Sequence, residues 1–332
     1  MNPKSVSIIL PTRDRKESLR EALESLSGLS YPRDRWEVIV VDDGSVDSTD
    51  RLMGELQSRL SLPLHYHKRE RRGLSSAKNF GIQQAQGEIL VFTDDDCILE
   101  RDWLNKLLRA FDSPEVGVAG GPDQMPPSGS FLAGCVDYSV TSFVGTGGVR
   151  EGRAMRVAHY YPRGCNTAVR KSVIEEVGGF DETLIPGEDI ELVYRIKRAG
   201  YAIQYVPDAF VWHKRRDSVR GFIRQIFSRG YGRVELGRRH RELLELSYLL
   251  PSFMVVGFVL LLGISLISPF VFQGLVYLTG LYLLATLAGG LHGAIRMGEA
   301  RAFFVIPFLV ILQHLSYGLG FLYGLTIRKV HA

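Results

Sequence analysis

The chain has only three cysteines in 332 residues, Cys97, Cys135 and Cys165, and no two of them form a CxxC pair. An odd and small number excludes a disulfide framework, and the missing pair speaks against a structural zinc site. There is no GxxxxGK[ST] and no GxGxxG opening a helix after a strand, so the common phosphate-loop and dinucleotide classes lack support. Internal repeats and low-complexity tracts are absent too. The N-terminus, Met-Asn-Pro-Lys, enters a strand-like run without a secretory leader pattern, which places the large N-terminal region in the cytoplasm as an expectation.

The most informative absence is charge. From Leu246 to Ile295 there is no Asp, Glu, Lys or Arg, and none from Ala302 to Ile327. A membrane-crossing helix needs about 20 apolar residues. The first run is long enough for two passes and the second for one, and neither keeps the polar face of a soluble core helix. The expectation is a multi-pass cell-membrane protein with spans near 246–267, 271–291 and 302–322. A re-entrant last segment is the alternative, because a third pass exports Arg328 and Lys329 against the positive-inside preference.

Positive charge is concentrated where the apolar part begins. The net charge is +4, yet Lys214–Arg241 holds ten Lys or Arg residues against Asp217 and Glu235. A basic juxtamembrane segment marks a cytoplasmic flank facing anionic lipid. It reads as an amphipathic interfacial helix over 219–245. No nucleic-acid-binding motif accompanies it, so no nucleic-acid partner is expected.

In the first half, apolar β-branched runs alternate with helical patterns. Val6–Leu10, Trp36–Val41, Pro63–His67, Glu88–Thr93 and Val116–Gly120 read as strands. Lys16–Leu26, Ser48–Leu60, Ser75–Gln86 and Trp103–Phe111 read as helices. This alternation indicates a parallel sheet with crossover helices. Pro122–Tyr160, rich in Gly and Ser, reads as mixed helix and loop. Order returns with a strand at Cys165–Arg170, helices at Ser172–Val177 and from Glu188, and a strand at Ala202–Val206.

Polar groups in such sheets collect at the carboxyl ends of strands. Here those ends read Pro11-Thr12-Arg13, Asp42-Asp43-Gly44-Ser45 and Asp94-Asp95-Asp96. Strand alternation lets Asp94 and Asp96 face one ligand. Neighbouring carboxylates repel unless a cation sits among them, and Mg²⁺ or Mn²⁺ beside a diphosphate is the usual solution. A solvated acidic turn is the plainer reading of three aspartates alone. Asp42-Asp43-Gly44-Ser45 read alone is equally a turn capping the next helix. Arg72 and Lys78 bracket a helix start, a natural anion site. Glu188 and Asp189 open a helix, where a carboxylate caps the N-terminus and stays ionised, as a general base must.

Taken in order, these pieces resemble glycosyltransferase family 2, inverting enzymes with a GT-A fold. The runs that carry the resemblance are SIILPTRDR, VIVVDDGSVDST, RRGLSSAKNFGI, ILVFTDDDC, RGCNTAVRKSV with GGFDETL, and GEDIELVYRIKRAGY, over roughly residues 5–230. The resemblance implies an α/β GT-A domain over 1–218, a mostly parallel sheet flanked by helices, followed by the interfacial segment 219–245 and a transmembrane region 246–327. It implies a nucleotide-sugar donor, UDP-linked by default, contacted by Pro11, Thr12, Arg13, Asp42, Asp43, Arg72, Lys78, Asp94 and Asp95. It further implies Mg²⁺ or Mn²⁺ on Asp96 and Asp94, and Asp189 as the base. The acceptor side would comprise Gly164, Cys165, Asn166 and Glu188, with Arg220 and Arg224 suited to the phosphate of a lipid-linked acceptor at the bilayer. Gln225-Ile226-Phe227-Ser228-Arg229 departs from the QxxRW of processive members, with arginine one place late and no tryptophan, which argues against polymer synthesis. A polyprenyl-phosphate sugar synthase, a nucleotidyl- or phosphotransferase and a non-catalytic nucleotide-sugar-binding membrane protein are the alternatives.

Overall fold

The computed structural model describes residues 4–147, 161–184 and 186–327. Residues 148–160 of the Gly- and Ser-rich stretch, and Arg328 and Lys329, lie outside the described residues. The chain divides into two compact units, residues 1–126 with 156–214, and residues 127–155 with 215–332.

The elements follow in chain order. β1 (Val6–Thr12), α1 (Lys16–Ser27), β2 (Trp36–Asp42), α2 (Thr49–Arg59), β3 (Leu64–Lys68), α3 (Leu74–Gln84) and β4 (Ile89–Phe92) are the regular alternation read from the sequence. Next come β5 (Cys97–Leu99), α4 (Trp103–Leu108), β6 (Val116–Gly120) and β7 (Asp123–Gln124). Helices α5 (Phe131–Thr141) and α6 (Phe143–Thr146) belong to the second unit. The first unit resumes with β8 (Thr167–Arg170), α7 (Lys171–Val177), α8 (Glu188–Arg198), β9 (Ala202–Tyr205) and β10 (Val211–His213). The second unit ends with α9 (Val219–Arg239), α10 (Leu250–Ser265), α11 (Pro269–Met297) and α12 (Ala302–Thr326).

In the first unit the main sheet runs β3-β2-β1-β4-β8-β6-β9, and a small sheet runs β5-β10-β7. Main-sheet pairings are parallel except that β8 is antiparallel to both β4 and β6. Thr167, the first residue of β8, pairs with the last residues of its neighbours, Phe92 and Gly120. The chain therefore re-enters the sheet from the end at which β6 left it, and must run the other way. The sheet is mostly parallel, as expected, but apolar runs carry no direction, so the sequence does not say which strand is reversed.

Strand alternation sorts the core into two layers. Val6, Ile8 and Leu10 pack with Leu19, Leu23 and Leu26 of α1 and Leu104 and Leu107 of α4. Ile9, Ile39, Phe92 and Val118 pack on the opposite face with Ala77, Ile174, Leu192 and Ile196. Each fully buried side chain of this size contributes about 1.5–3 kcal/mol. These two layers hold the strand ends in register.

In the second unit, Phe222 and Ile226 of α9 pack with Ile306, Leu309 and Val310 of α12 and with Cys135 and Val136 of α5. The α5–α6 segment thus joins the helical unit because its apolar face is covered there. Gly230 faces Tyr317, and Gly320 faces Phe227, with backbones too close for a Cβ on either glycine. Small residues permit this approach. α10, α11 and α12 are each long and apolar enough to cross a membrane. They differ in cover, since the most apolar windows of α10 and α11 are each 6% buried and that of α12 is 44% buried. Several polar side chains of this unit are bonded: Tyr138 to His292 at 2.7 Å, Tyr282 to His314 at 2.8 Å, and Gln313 to the Gly145 carbonyl at 2.6 Å.

Candidate active site

The three polar strand ends meet at one edge of the main sheet. The Thr12 hydroxyl donates to Asp95 at 2.8 Å. Arg15 Nη1 spans Asp95 at 3.1 Å and Asp96 at 2.9 Å. Asp95 is buried, whereas Asp94 and Asp96 are half-buried. Asp95 and Asp96 lie in the turn between β4 and β5, and Arg15 ties both of them to the loop after β1. Asp95 and Thr12, both expected to contact a nucleotide, here secure each other.

β10 brings a group that the sequence did not single out. His213 Nε2 lies 3.2 Å from Asp96 Oδ1, and Nδ1 lies 3.3 Å from Asp123 Oδ2. Asp123 also pairs with Arg163. Burial opposes charge on the His213 ring, but Cys165 and Asp96 outweigh it and push its pKa up to about 10. Burial pushes Asp94 up to about 7, with Cys165 adding to the rise and Lys78 opposing it. The group thus holds a proton on His213 and raises Asp94, the response of close carboxylates that favour a nearby positive charge. Asp96 beside His213, with half-buried Asp94 two residues earlier, offers carboxylate oxygens of the kind that suit Mg²⁺ or Mn²⁺.

Asp42 and Asp43 organise the neighbouring turn. Asp42 is buried, accepts the Ser45 N–H at 2.7 Å, and accepts the Tyr66 hydroxyl at 2.6 Å. Asp43 accepts the N–H groups of Arg72 and Gly73, each at 2.8 Å. The loop before α3 is thereby tied to the end of β2. Gly73 has φ +100°, a conformation open to glycine. Pro11 is buried within β1, and Arg13 lies 3.4 Å from Asp14.

On the other side of the edge, α8 begins with Glu188 and Asp189. Asp189 Oδ2 accepts the Gly164 N–H at 3.0 Å, and Oδ1 accepts the Ile190 N–H at 2.8 Å. Glu188 turns inward and receives Lys78 Nζ at 3.1 Å. Burial works against charge on Lys78, but Glu188, Asp94 and Asp189 outweigh it and hold its pKa above the usual lysine value. One ammonium thus couples the aspartate run to the start of α8.

Burial distinguishes two of the expected site residues. Lys78 is 1% exposed, and its ammonium pairs with Glu188. Asn166, expected on the acceptor side, is fully buried. It accepts from Trp103 Nε1 at 2.9 Å and donates to the carbonyls of Pro122 and Ala209. Its amide locks loops together and has no face for an acceptor. Cys165 is buried beside it. Gly164 remains at the site, filling the space between Lys78 and Asp189. Arg220 and Arg224 lie in the second unit on α9. Arg224 lines a groove of about 260 Å³ with Phe227, Ser228, Tyr231, Tyr323 and Ile327.

Residues 7–178, more than half of the chain, match the profile of Glycosyl transferase family 2. The chain belongs to this family. Among curated proteins, this glycosyltransferase is 27% identical over 254 residues to glycosyltransferase AglE of Haloferax volcanii, covering 76% of this chain and 81% of AglE. It is 30% identical over 247 residues to the pre-mycofactocin glycosyltransferase of Mycobacterium tuberculosis, covering 72% of this chain but 49% of that one. The chain therefore spans about half the length of the mycobacterial relative. A mannosyltransferase from Pyrobaculum calidifontis, PcManGT, solved in complex with GDP-Man and Mn²⁺, is similar in structure with a TM-score of 0.64. At 21% identity, covering 98% of this chain and 88% of that one, the likeness shows the shared GT-A fold.

Of the residues that line this family 2 site, Arg15, Asp123 and His213 were missed by sequence reasoning. Arg15 lies within the SIILPTRDR run, two places beyond the residue chosen. His213 ends a strand of three residues, too short to register as a period.

Proposed function

We propose that this chain is an inverting, metal-dependent transferase that moves a sugar from a nucleotide-sugar to a lipid-linked acceptor in cell-surface glycan or glycolipid synthesis. The observation that carries this reading is geometric: the Asp94–Asp96 run follows a strand of the main sheet, and Asp189 opens α8 beside the buried Lys78–Glu188 pair and Gly164. A donor-side acidic group and a helix-capping carboxylate are thereby held on one rigid frame.

Asp94, Asp96 and His213 would hold the divalent cation. When bound, it neutralises the charge developing on the departing diphosphate. Arg15 steadies Asp96, and Thr12 holds Asp95 so that the edge keeps its shape. Asp43 sets the Arg72-Gly73 loop, which would flank the base. The acceptor proton passes to the Asp189 carboxylate, whose two oxygens each accept one backbone N–H and retain a further lone pair. Gly164 orients that carboxylate. A UDP-linked donor is the family default, and the GDP-Man bound to PcManGT makes GDP-sugars the second group to test.

The lipid-linked acceptor rests on the second unit. The groove beside Arg224 combines a guanidinium with Phe227, Tyr231 and Tyr323, chemistry that suits a phosphate head on an apolar chain. A phosphate acceptor is already ionised, which supports polyprenyl-phosphate sugar synthesis as a second reading with less dependence on Asp189.

For the membrane we infer two crossings, α10 and the first part of α11, with α12 held at the cytoplasmic face. α11 has 29 residues, about 43 Å at 1.5 Å per residue, longer than the roughly 30 Å hydrocarbon layer. Its last turns, with Gly289, Gly290 and Gly293, pack on α6 and α12. α12 lies along α9, which carries Arg220, Arg224, Arg229, Arg233, Arg238 and Arg239. Arginines of that number are not accommodated in hydrocarbon. Two crossings also keep Arg296, Arg301, Arg328 and Lys329 on the side of α9, as the positive-inside preference favours.

The test is to supply full-length protein with labelled UDP- and GDP-sugars, with and without extracted lipids, and to partition the products. Label entering the organic phase together with free nucleoside diphosphate is the expected result. Release of pyrophosphate, or transfer to a water-soluble acceptor equally well without lipid, counts against the proposal.

A further inference from the structure

His213 belongs to two sets of metal-type donors at once. Donor atoms of His213, Asp96 and Cys97 all lie within 4.8 Å of one another, and the same holds for His213, Asp123 and Cys165. Both thiols are buried, Cys97 in the set with Asp96 and Cys165 in the set with Asp123. Neither thiol has a part in the transfer reaction set out above. Oxygen donors suit Mg²⁺ and Mn²⁺, whereas thiolate with imidazole selects Zn²⁺. Tetrahedral zinc, with Zn–S near 2.3 Å and Zn–N near 2.0 Å, places its ligand atoms roughly 3.5 Å apart. Closing to that spacing from within 4.8 Å takes side-chain torsions and small shifts.

We propose that Cys97, His213 and Asp96 form a Zn²⁺ site that overlaps the catalytic-cation site at Asp96, so that Zn²⁺ displaces Mg²⁺ or Mn²⁺ and silences transfer. Cys97 binds as the thiolate and His213 as the neutral ring, each releasing its proton to solvent. Zn²⁺ then supplies the positive charge that the protonated ring supplied before. Entry is past His213 and Asp96, whose side chains are 22% and 12% exposed. The CxxC spacing that signals structural zinc is absent, because Cys97 and His213 come from β5 and β10, far apart in sequence, and pair in the small sheet.

The competition rests on the catalytic-cation reading, but the zinc site does not, and two measurements separate them. Co²⁺ accepts the same ligands as Zn²⁺ and reports them by absorption. Added to the full-length protein in detergent, it is expected to give a tetrahedral spectrum with a thiolate-to-cobalt charge-transfer band. One equivalent of Zn²⁺ should abolish the band, Cys97→Ala should lack it, and Cys135→Ala should retain it. A pale octahedral spectrum without the band in the unaltered protein overturns the proposal, as does a band that survives Cys97→Ala. Bound Mn²⁺, followed by electron paramagnetic resonance, should be released by Zn²⁺. In Cys97→Ala that release should need at least the roughly 10–100-fold more Zn²⁺ that the loss of even an outer-shell partner costs a metal site. If Mn²⁺ binds and Zn²⁺ does not release it, the overlap is refuted. If Mn²⁺ never binds, the competition falls with the catalytic-cation reading, and the cobalt band alone decides whether the zinc site exists.

Discussion

Lys78 and Glu188 form a buried ion pair at 3.1 Å, with 2% and 8% of their side chains exposed. One comes from α3 and the other from the first turn of α8, so the pair joins α3 to the helix that carries Asp189. A Cβ on Gly164 would stand 2.9 Å from the Lys78 ammonium, which confines the pair on its third side.

Breaking this pair leaves a charge buried alone. Lys78→Met should destabilise the first unit by about 3–5 kcal/mol, and adding Glu188→Gln should recover part of the loss. Trp36, Trp103 and Trp212 all belong to this unit, so their fluorescence during urea unfolding reads it directly. Equal stability of Lys78→Met and the unaltered protein would show that the pair contributes nothing.

Asp189→Asn keeps the shape of the helix start but loses the base. Turnover should fall by about the 10²–10⁴-fold typical of a lost general base, with donor affinity nearly unchanged. Steady-state kinetics on the acceptor found in the screen are the check. A small effect would shift the reading toward an acceptor phosphate that needs no base.

The cation assignment predicts that Asp96→Ala abolishes transfer while the protein stays folded, since Asp96 is a half-buried strand-end group and not part of the core. Excess chelator should do the same to the unaltered protein, reversed by Mn²⁺ or Mg²⁺. His213→Ala should raise the Mn²⁺ concentration needed for half activity. Full activity of Asp96→Ala, or in chelator, refutes the assignment.

Two crossings predict a definite labelling pattern in intact cells. A cysteine at Ile267, between α10 and α11, should react with an impermeant reagent from outside. One placed after Lys329 should be protected until the membrane is opened. Labelling at both positions would restore the three-span arrangement.

Much of this protein is written locally. The order of β1 to β4 with their helices follows from residue periodicity, and the strand-end acids from their place after apolar runs. The membrane character follows from the charge-free stretches, and α9 from ten basic residues beside them. Each of these signals lies within one window of the chain, so the sequence by itself determined them. Other features depend on which surfaces meet. The reversed direction of β8, the short strands β5, β7 and β10, and the approach of His213 to Asp96 join residues far apart in sequence. So do the burial of Lys78 against Glu188 and the locking of Asn166 by Trp103. α12 is as apolar as a span, yet 44% of its most apolar window is buried, in part against α9 through paired glycines. Composition measures how apolar a segment is but not how much of it protein covers, and that the tertiary structure decided.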